Sequence, residues 1–219
     1  MNIPKMEIEA IIFDFDGVLV ESVNIKGAAF VELYKNENID IQAQVLEYHN
    51  KHGGVTRYDK IRHYEKTLCG RDVVEDKVME LAGDFSDIVE DCVVKSPWVI
   101  GAKDFLEKHY KNVPFYVASA TPEDELKRIV KSRNMDGYFK GIYGAPKRKD
   151  EHIDNIMAKN NYIAKHVLMI GDAMSDYEAA QKTGTHFIGR KLPAQASPFP
   201  DGTLLINDLT ELESLIELK

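Results

Sequence analysis

With 219 residues, 44% of them apolar and 29% charged, the chain has the composition of a globular protein, long enough for one large domain or a core with a second domain inserted. Its 28 basic and 36 acidic residues leave a formal charge of -8, which argues against bulk-charge binding of nucleic acid or anionic membrane, so an anionic small molecule needs a local basic site. Cys69 and Cys92 are far apart and belong to no CxxC pattern, against a disulfide framework or zinc site, and no apolar run approaches membrane-span length. A cytoplasmic protein with reduced thiols is expected.

The first element is the apolar run Ala10-Ile11-Ile12-Phe13, which reads as a buried strand and leads straight into Asp14-Phe15-Asp16-Gly17. Two acids at i and i+2 on an extended segment point to the same side, where a cation or a shared proton must offset their repulsion. Gly17 permits a sharp bend or a close approach to a ligand. Val18-Leu19-Val20 is expected to continue as a second extended piece.

From 21 to 95 the pattern changes to helices with charged faces, at 25–34, 42–49, 58–68 and 73–93. The chain then returns to helix at 102–110. Short apolar runs follow at 113–118, ending at Ser119, at 141–143, at 167–170, ending at Gly171-Asp172, and at 186–189. Helical patterns at 123–134, 150–160 and 176–182 separate them. Near-continuous apolar runs alternating with helices predict an α/β domain with a doubly wound, Rossmann-like parallel sheet. Ligands collect at the carboxyl ends of such strands, where Asp14, Asp16, Ser119 and Asp172 all fall. Thr121-Pro122-Glu123-Asp124 reads as an N-cap, a proline at N1 and acids in the first turn, a helix start that offers backbone donors to an anion beside Ser119. Residues 192–202, with three prolines, read as a loop, 203–206 as a short strand and 209–218 as a closing helix. There is no internal repeat.

Taken in order, Asp14-Phe15-Asp16-Gly17-Val18-Leu19, then Ser119 at a strand end, then a lysine ahead of a helix, then Gly171-Asp172-Ala173-Met174-Ser175-Asp176 resemble the four motifs of the haloacid dehalogenase-like hydrolases. The resemblance covers essentially the whole chain. The helical insertion is similar to the cap of the subgroup containing phosphoglycolate phosphatases and β-phosphoglucomutases. It implies a core of residues 1–20 and 96–219 and a cap of residues 21–95.

The resemblance implies Asp14 as a nucleophile forming an aspartyl phosphate and Asp16 as general acid and then base. It implies Mg²⁺ held by Asp14, Asp172 and the Asp16 carbonyl, with Asp176 in support one helical turn on. Ser119 and the adjacent Ala120 would bind the transferring phosphoryl group. The motif lysine is Lys149, with Lys147 as the alternative, and either would balance the phosphate and Asp14. His52-Gly53-Gly54-Val55-Thr56-Arg57 resembles the substrate-specificity loop of this cap type, so that Arg57 holds a second anionic group or, alternatively, faces solvent at a helix start. Where the family places an acid, a hydroxyl residue and then a histidine after the first motif, this chain has Glu21-Ser22 and Lys26, which weakens the mutase analogy and offers Lys26 as a substrate contact.

The implied activity is a Mg²⁺-dependent phosphatase acting on a small phosphorylated metabolite, as a monomer or homodimer. The alternatives are a phosphomutase of the β-phosphoglucomutase type and a noncatalytic or regulatory binding protein on the same fold. Halide release is disfavoured, because that chemistry requires neither the second acid nor the metal.

Overall fold

The computed structural model describes residues 5–191 and 196–219; residues 192–195 of the proline-bearing loop lie outside the described residues. In chain order the elements are β1 (Met6–Ile8), β2 (Ala10–Phe13), α1 (Val23–Leu33), α2 (Ile39–Lys51), α3 (Arg57–His63), α4 (Glu75–Lys95), α5 (Ala102–His109), β3 (Phe115–Pro122), α6 (Glu123–Ser132), β4 (Phe139–Ala145), α7 (Lys149–Asn160), β5 (Val167–Gly171), α8 (Met174–Thr183), β6 (His186–Arg190), β7 (Leu205–Ile206), α9 (Leu212–Leu215) and β8 (Ile216–Leu218). A single π-helical turn, Tyr64–Leu68, prolongs α3.

Six strands form one parallel sheet in the order β4-β3-β2-β5-β6-β7. Side chains alternate between its faces as the pleat requires. Ile11, Phe13, Phe115, Val117, Leu168 and Ile170 pack on one side with α5 and α6. Ala10, Ile12, Tyr116, Ala118, Val167 and Met169 pack on the other with Ile153 and Ile156 of α7 and Ala179 and Ala180 of α8. Burial on both faces explains why these strands read as unbroken apolar runs. After β2 the chain builds outward through β3 and β4, then crosses to the opposite side of β2 to add β5 and β6. The crevice at the carboxyl end of β2 is therefore the switch point at which such sheets hold ligands.

Between β2 and β3, helices α1 to α4 pack around Phe30, Tyr64 and Phe85, with the Phe30 and Phe85 rings stacked at 4.1 Å. This segment lies over the crevice.

Several local readings are corrected. Gly17-Val18-Leu19 form a turn, closed by the Gly17 N–H donating to the Val20 carbonyl at 2.8 Å and the Leu19 N–H donating to the Phe15 carbonyl at 3.0 Å, and only Val20 is extended, in isolated bridges to Asp16 and Trp98. Strand β3 runs through Ser119 to Pro122, so Ser119 lies inside a strand, and Pro122 rather than Thr121 occupies the N-cap of α6. The closing helix is cut short: a 3-10 turn, Leu209–Glu211, leads into α9, and β8 then pairs in parallel with β1, an element the apolar pattern did not mark. Among the described residues no helix is long and apolar enough to cross a membrane.

Candidate active site

Asp14 follows β2 directly, and its backbone N–H donates to the Ile170 carbonyl of β5 at 2.9 Å, which fixes it between the two strands that flank the switch point. Its side chain is buried, with Oδ1 accepting from the Phe15 N–H at 2.6 Å and Oδ2 lying 2.8 Å from the Lys149 ammonium. Lys149 opens α7 and reaches a second acid, Asp176, at 2.5 Å. Lys147 is exposed. Of the two candidate lysines, Lys149 is the one that enters the site.

Asp176 is fully buried in the first turn of α8, where its second oxygen accepts from the Ala173 N–H at 3.1 Å. Asp172, at the end of β5, accepts no hydrogen bond among the described residues. Asp14, Asp172 and Asp176 each bring one carboxylate oxygen within 4.8 Å of the others. Burial raises Asp172 well above its ordinary value, with the charges of Asp14 and Asp176 adding to the effect. Burial, with the charges of Asp176 and Asp16, lifts Asp14 to about 7 even against the Lys149 ammonium. Lys149 itself would be pushed down by burial, but Asp14 and Asp176 outweigh that and raise it. Lys149 is thus a fixed cation, and one cation does not balance three acids. Hard carboxylate oxygens, one of them without a donor, fit a divalent cation.

Gly17 permits this crowding. Its φ is +75°, and a Cβ there would lie 2.0 Å from Asp172 Oδ2, so the bend that brings Asp16 back toward the site leaves room for no other residue.

Asp16 points to the opposite wall. Its Oδ1 accepts from Ser22 Oγ at 2.6 Å, and its Oδ2 accepts from Lys26 Nζ at 2.5 Å and Thr121 Oγ1 at 3.2 Å. Burial alone would raise this carboxyl, but the Lys26 charge and the three donors outweigh it and hold it below the usual range. Lys26 also donates to Thr121 Oγ1 at 2.8 Å. The residue that replaces the family's histidine therefore binds the second acid directly. Thr121, expected to cap a helix, serves this network instead.

Ser119, Ala120 and Thr121 line a cavity of about 80 Å³ together with Asp14, Asp16 and Asp172. One water needs about 10–15 Å³ of such space, so this partly open cavity itself holds a few small groups. Its far side is formed by the four-helix segment, through Lys26, Phe30, His49, Gly54, Arg57 and Lys60. Arg57 is buried there, and both sequence readings of it are revised. It does not face solvent, and its guanidinium is committed to Glu125 of α6 by bidentate hydrogen bonds of 2.5 and 2.7 Å, with Ser86 as a further partner. His49, Lys60 and Glu125 were not marked by the sequence pattern. The available signal was spacing: Lys60 stands three residues after Arg57, on the same helix face.

A profile of haloacid dehalogenase-like hydrolases matches residues 11–190. A 5'-nucleotidase from Pseudomonas aeruginosa is 34% identical over 79 residues, 34% of this chain and 36% of that protein, so the match spans little more than a third of that relative. Two solved structures share the fold. CbbY from Rhodobacter sphaeroides, in complex with xylulose-(1,5)bisphosphate, has a TM-score of 0.74 at 16% identity and covers 96% of this chain and 100% of that one. The haloacid dehalogenase-like family protein SP0104 from Streptococcus pneumoniae has a TM-score of 0.64 at 18% identity, covering 96% of this chain and 92% of its own. The profile match spans most of the chain and includes Asp14, Ser119, Lys149 and Asp172, and the chain belongs to the haloacid dehalogenase-like hydrolase family.

Proposed function

We propose that the chain is a Mg²⁺-dependent phosphatase that hydrolyses a small phosphorylated metabolite through an aspartyl phosphate on Asp14. The observation that carries this reading is the Asp14 carboxylate at the cavity wall, 2.8 Å from the buried Lys149 ammonium and grouped with Asp172. A carboxylate so held is positioned for attack and tied to a fixed positive charge. Asp14 and Asp172, with the Asp16 carbonyl, would hold Mg²⁺, which when bound supplies the charge that lets an anionic nucleophile meet an anionic phosphate.

In the first step an Asp14 oxygen bonds to phosphorus as the ester P–O bond breaks, and the leaving oxygen takes a proton from Asp16. In the second, the Asp16 carboxylate takes a proton from water, whose oxygen bonds to phosphorus and expels Asp14. Asp16 as held here is in the form that serves the second step. Its acid form requires that Lys26 loosen its bond to Oδ2, and Thr121, already within 2.8 Å of Nζ, is the alternative acceptor. Ser119 and Ala120 would hold the transferring phosphoryl oxygens. Residues 21–95 act as a cap over a core of 1–20 and 96–219, and the cap shields the acyl phosphate from bulk water.

A Mg²⁺-supported screen of phosphorylated hydroxy acids, sugar phosphates and nucleoside monophosphates, with Asp14→Asn as blank, tests the reading. Turnover by wild type and a loss of about 10³-fold or more in a folded Asp14→Asn variant is the expected result. Retained turnover in that variant overturns the mechanism. Product analysis on a sugar monophosphate, with and without the corresponding bisphosphate, separates hydrolysis from mutase transfer.

A further inference from the structure

Three cationic side chains line the cavity, and they differ in how their charge is met. Lys26 is matched by Asp16 and Arg57 by Glu125. Lys60 is 3% exposed and has no carboxylate among its described partners. Its ammonium lies 3.1 Å from His49 Nδ1 and 5.7 Å from the centre of the Phe30 ring. An ammonium has three protons to donate, and His49 accepts one of them. Burial keeps His49 neutral, lowering it to about 3, with the Lys60 charge adding to the effect, so its ring offers an acceptor and no compensating charge.

An unmatched buried ammonium is costly, and a chain has little reason to place one on a cavity wall for packing alone. Burial and the Lys26 charge lower Lys60 to about 7, against the more distant pull of Asp16 and Asp172. That is the behaviour of a cation lacking its anion. The neighbouring guanidinium, the obvious candidate for a second anionic group, is already neutralised by Glu125.

Resting on the phosphatase reading, we propose that Lys60, held in place by His49, binds a second anionic group carried by the substrate, a carboxylate or a second phosphate, and so selects small phosphomonoesters with an anion at each end. One end of the substrate lies at Asp14 and Ser119. The other reaches the helical side of the same cavity and supplies Lys60 with its counter-ion. The phenyl faces of Phe30 and Phe85 beside these cations offer no site to a bulky polar group between the two ends.

The test compares three substrates of similar size: a phosphorylated two-carbon hydroxy acid, a two-carbon diol carrying phosphate at both ends, and ethyl phosphate as the reference with a single anionic group. Lys60→Met keeps the length of the side chain and removes its charge, and thermal melting confirms that the variant folds. The expected result is that Lys60→Met lowers kcat/KM for the matching doubly anionic substrate about tenfold more than for ethyl phosphate, and does so chiefly through KM. Whichever of the carboxylate and bisphosphate arms shows that loss names the anion. An equal effect on all three substrates overturns the proposal.

Calorimetric titration of the same ligands into Asp14→Asn, with and without Lys60→Met, gives a reading independent of turnover. If no substrate is hydrolysed but Lys60→Met still weakens binding of a doubly anionic ligand selectively, the phosphatase reading fails and this site stands. If hydrolysis is present and binding shows no selectivity for the second anion, the reverse holds.

Discussion

Arg57, the first residue of α3, and Glu125, in the first turn of α6, form a bidentate ion pair across the boundary between the helical segment and the sheet. Both side chains are under 5% exposed, and Ser86 of α4 donates to the same carboxylate at 2.6 Å. The guanidinium also lies over the Phe85 ring, 4.7 Å from its centre. Three helices therefore meet at one desolvated contact. It fastens the cavity on the side away from Asp14.

Removing one member of this pair strands the other. Glu125→Gln and Arg57→Met are each expected to destabilise the fold by about 3 kcal/mol, because a buried charge is left unpaired. The double variant Arg57→Met/Glu125→Gln should cost much less than the sum of the two, since no charge is then stranded. Urea unfolding of the four proteins gives the coupling directly. Strictly additive losses would mean that the contact does not bind the two parts together.

Lys26 governs the second acid. With Lys26→Met the charge that holds Asp16 down is gone, burial is less opposed, and the carboxyl rises toward or above its ordinary value. If the protonated form is required to release the leaving oxygen, activity falls as pH rises through the Asp16 pKa. The basic limb of kcat/KM controlled by Asp16 should therefore move to higher pH in the variant. The stability change has its own sign. A depressed Asp16 contributes stability that is present above its unfolded pKa and lost as pH falls through the folded one, so Lys26→Met costs stability at neutral pH and little in acid. A pH–rate profile of the variant that superposes on the wild type would remove Lys26 from the mechanism.

How much of this was legible beforehand follows from what each signal depends on. Strands buried on both faces write themselves as apolar runs, and for that reason β2, β3, β5 and β6 were readable, along with the acids at their ends. Asp14, Asp16 and Asp172 sit next to such runs. The pairing of β1 with β8 was not readable, because three-residue strands whose paired residues, such as Met6 and Ile216, lie at opposite ends of the chain carry no local periodicity. The role of Arg57 was missed for the same kind of reason: Glu125 is 68 residues away, and an acid in a first helical turn looks like ordinary dipole compensation. Lys60 and His49 are silent in sequence because their meaning is the absence of a carboxylate, which only the folded cavity shows.

The acids at Asp14 and Asp172 bear on metal binding. Burial, with the charges of Asp176 and Asp16, raises Asp14, and burial, with the charges of Asp14 and Asp176, raises Asp172, so at neutral pH they hold part of a proton that a cation must displace. Added Mg²⁺ is expected to raise Tm, and to raise it more at pH 8 than at pH 6, because deprotonation through the range near 7 frees Asp14 for the ion. Asp172→Asn should abolish most of that Mg²⁺-dependent shift. The same variant without metal should melt at or above the wild-type temperature, since it removes one of three crowded acids. A Tm insensitive to Mg²⁺ at both pH values would exclude the carboxylate group as its site.

The loop that closes the cavity is held by a contact too tight for any side chain. Gly54 has φ of +74°, and a Cβ at that position would lie 1.9 Å from Ser175 Oγ, a buried hydroxyl without a hydrogen-bond partner among the described residues, and 3.1 Å from Ser175 Cβ. Gly54→Ala therefore meets two penalties: the left-handed backbone costs about 1 kcal/mol for a residue with a side chain, and the methyl group displaces the loop from α8. Gly54 lines the same cavity as Asp14 and Asp172 but is none of the charged groups of the site. The variant should keep its fold and lose turnover by holding the helical segment away from the sheet, so that KM rises and water gains access to the cavity. Ser175→Gly in the Gly54→Ala background removes the hydroxyl the new methyl meets and should restore part of the loss. Measuring kcat/KM in the two single variants and the double gives the answer: recovery in the double assigns the defect to this contact, whereas an additive loss would place it in the backbone of the loop alone.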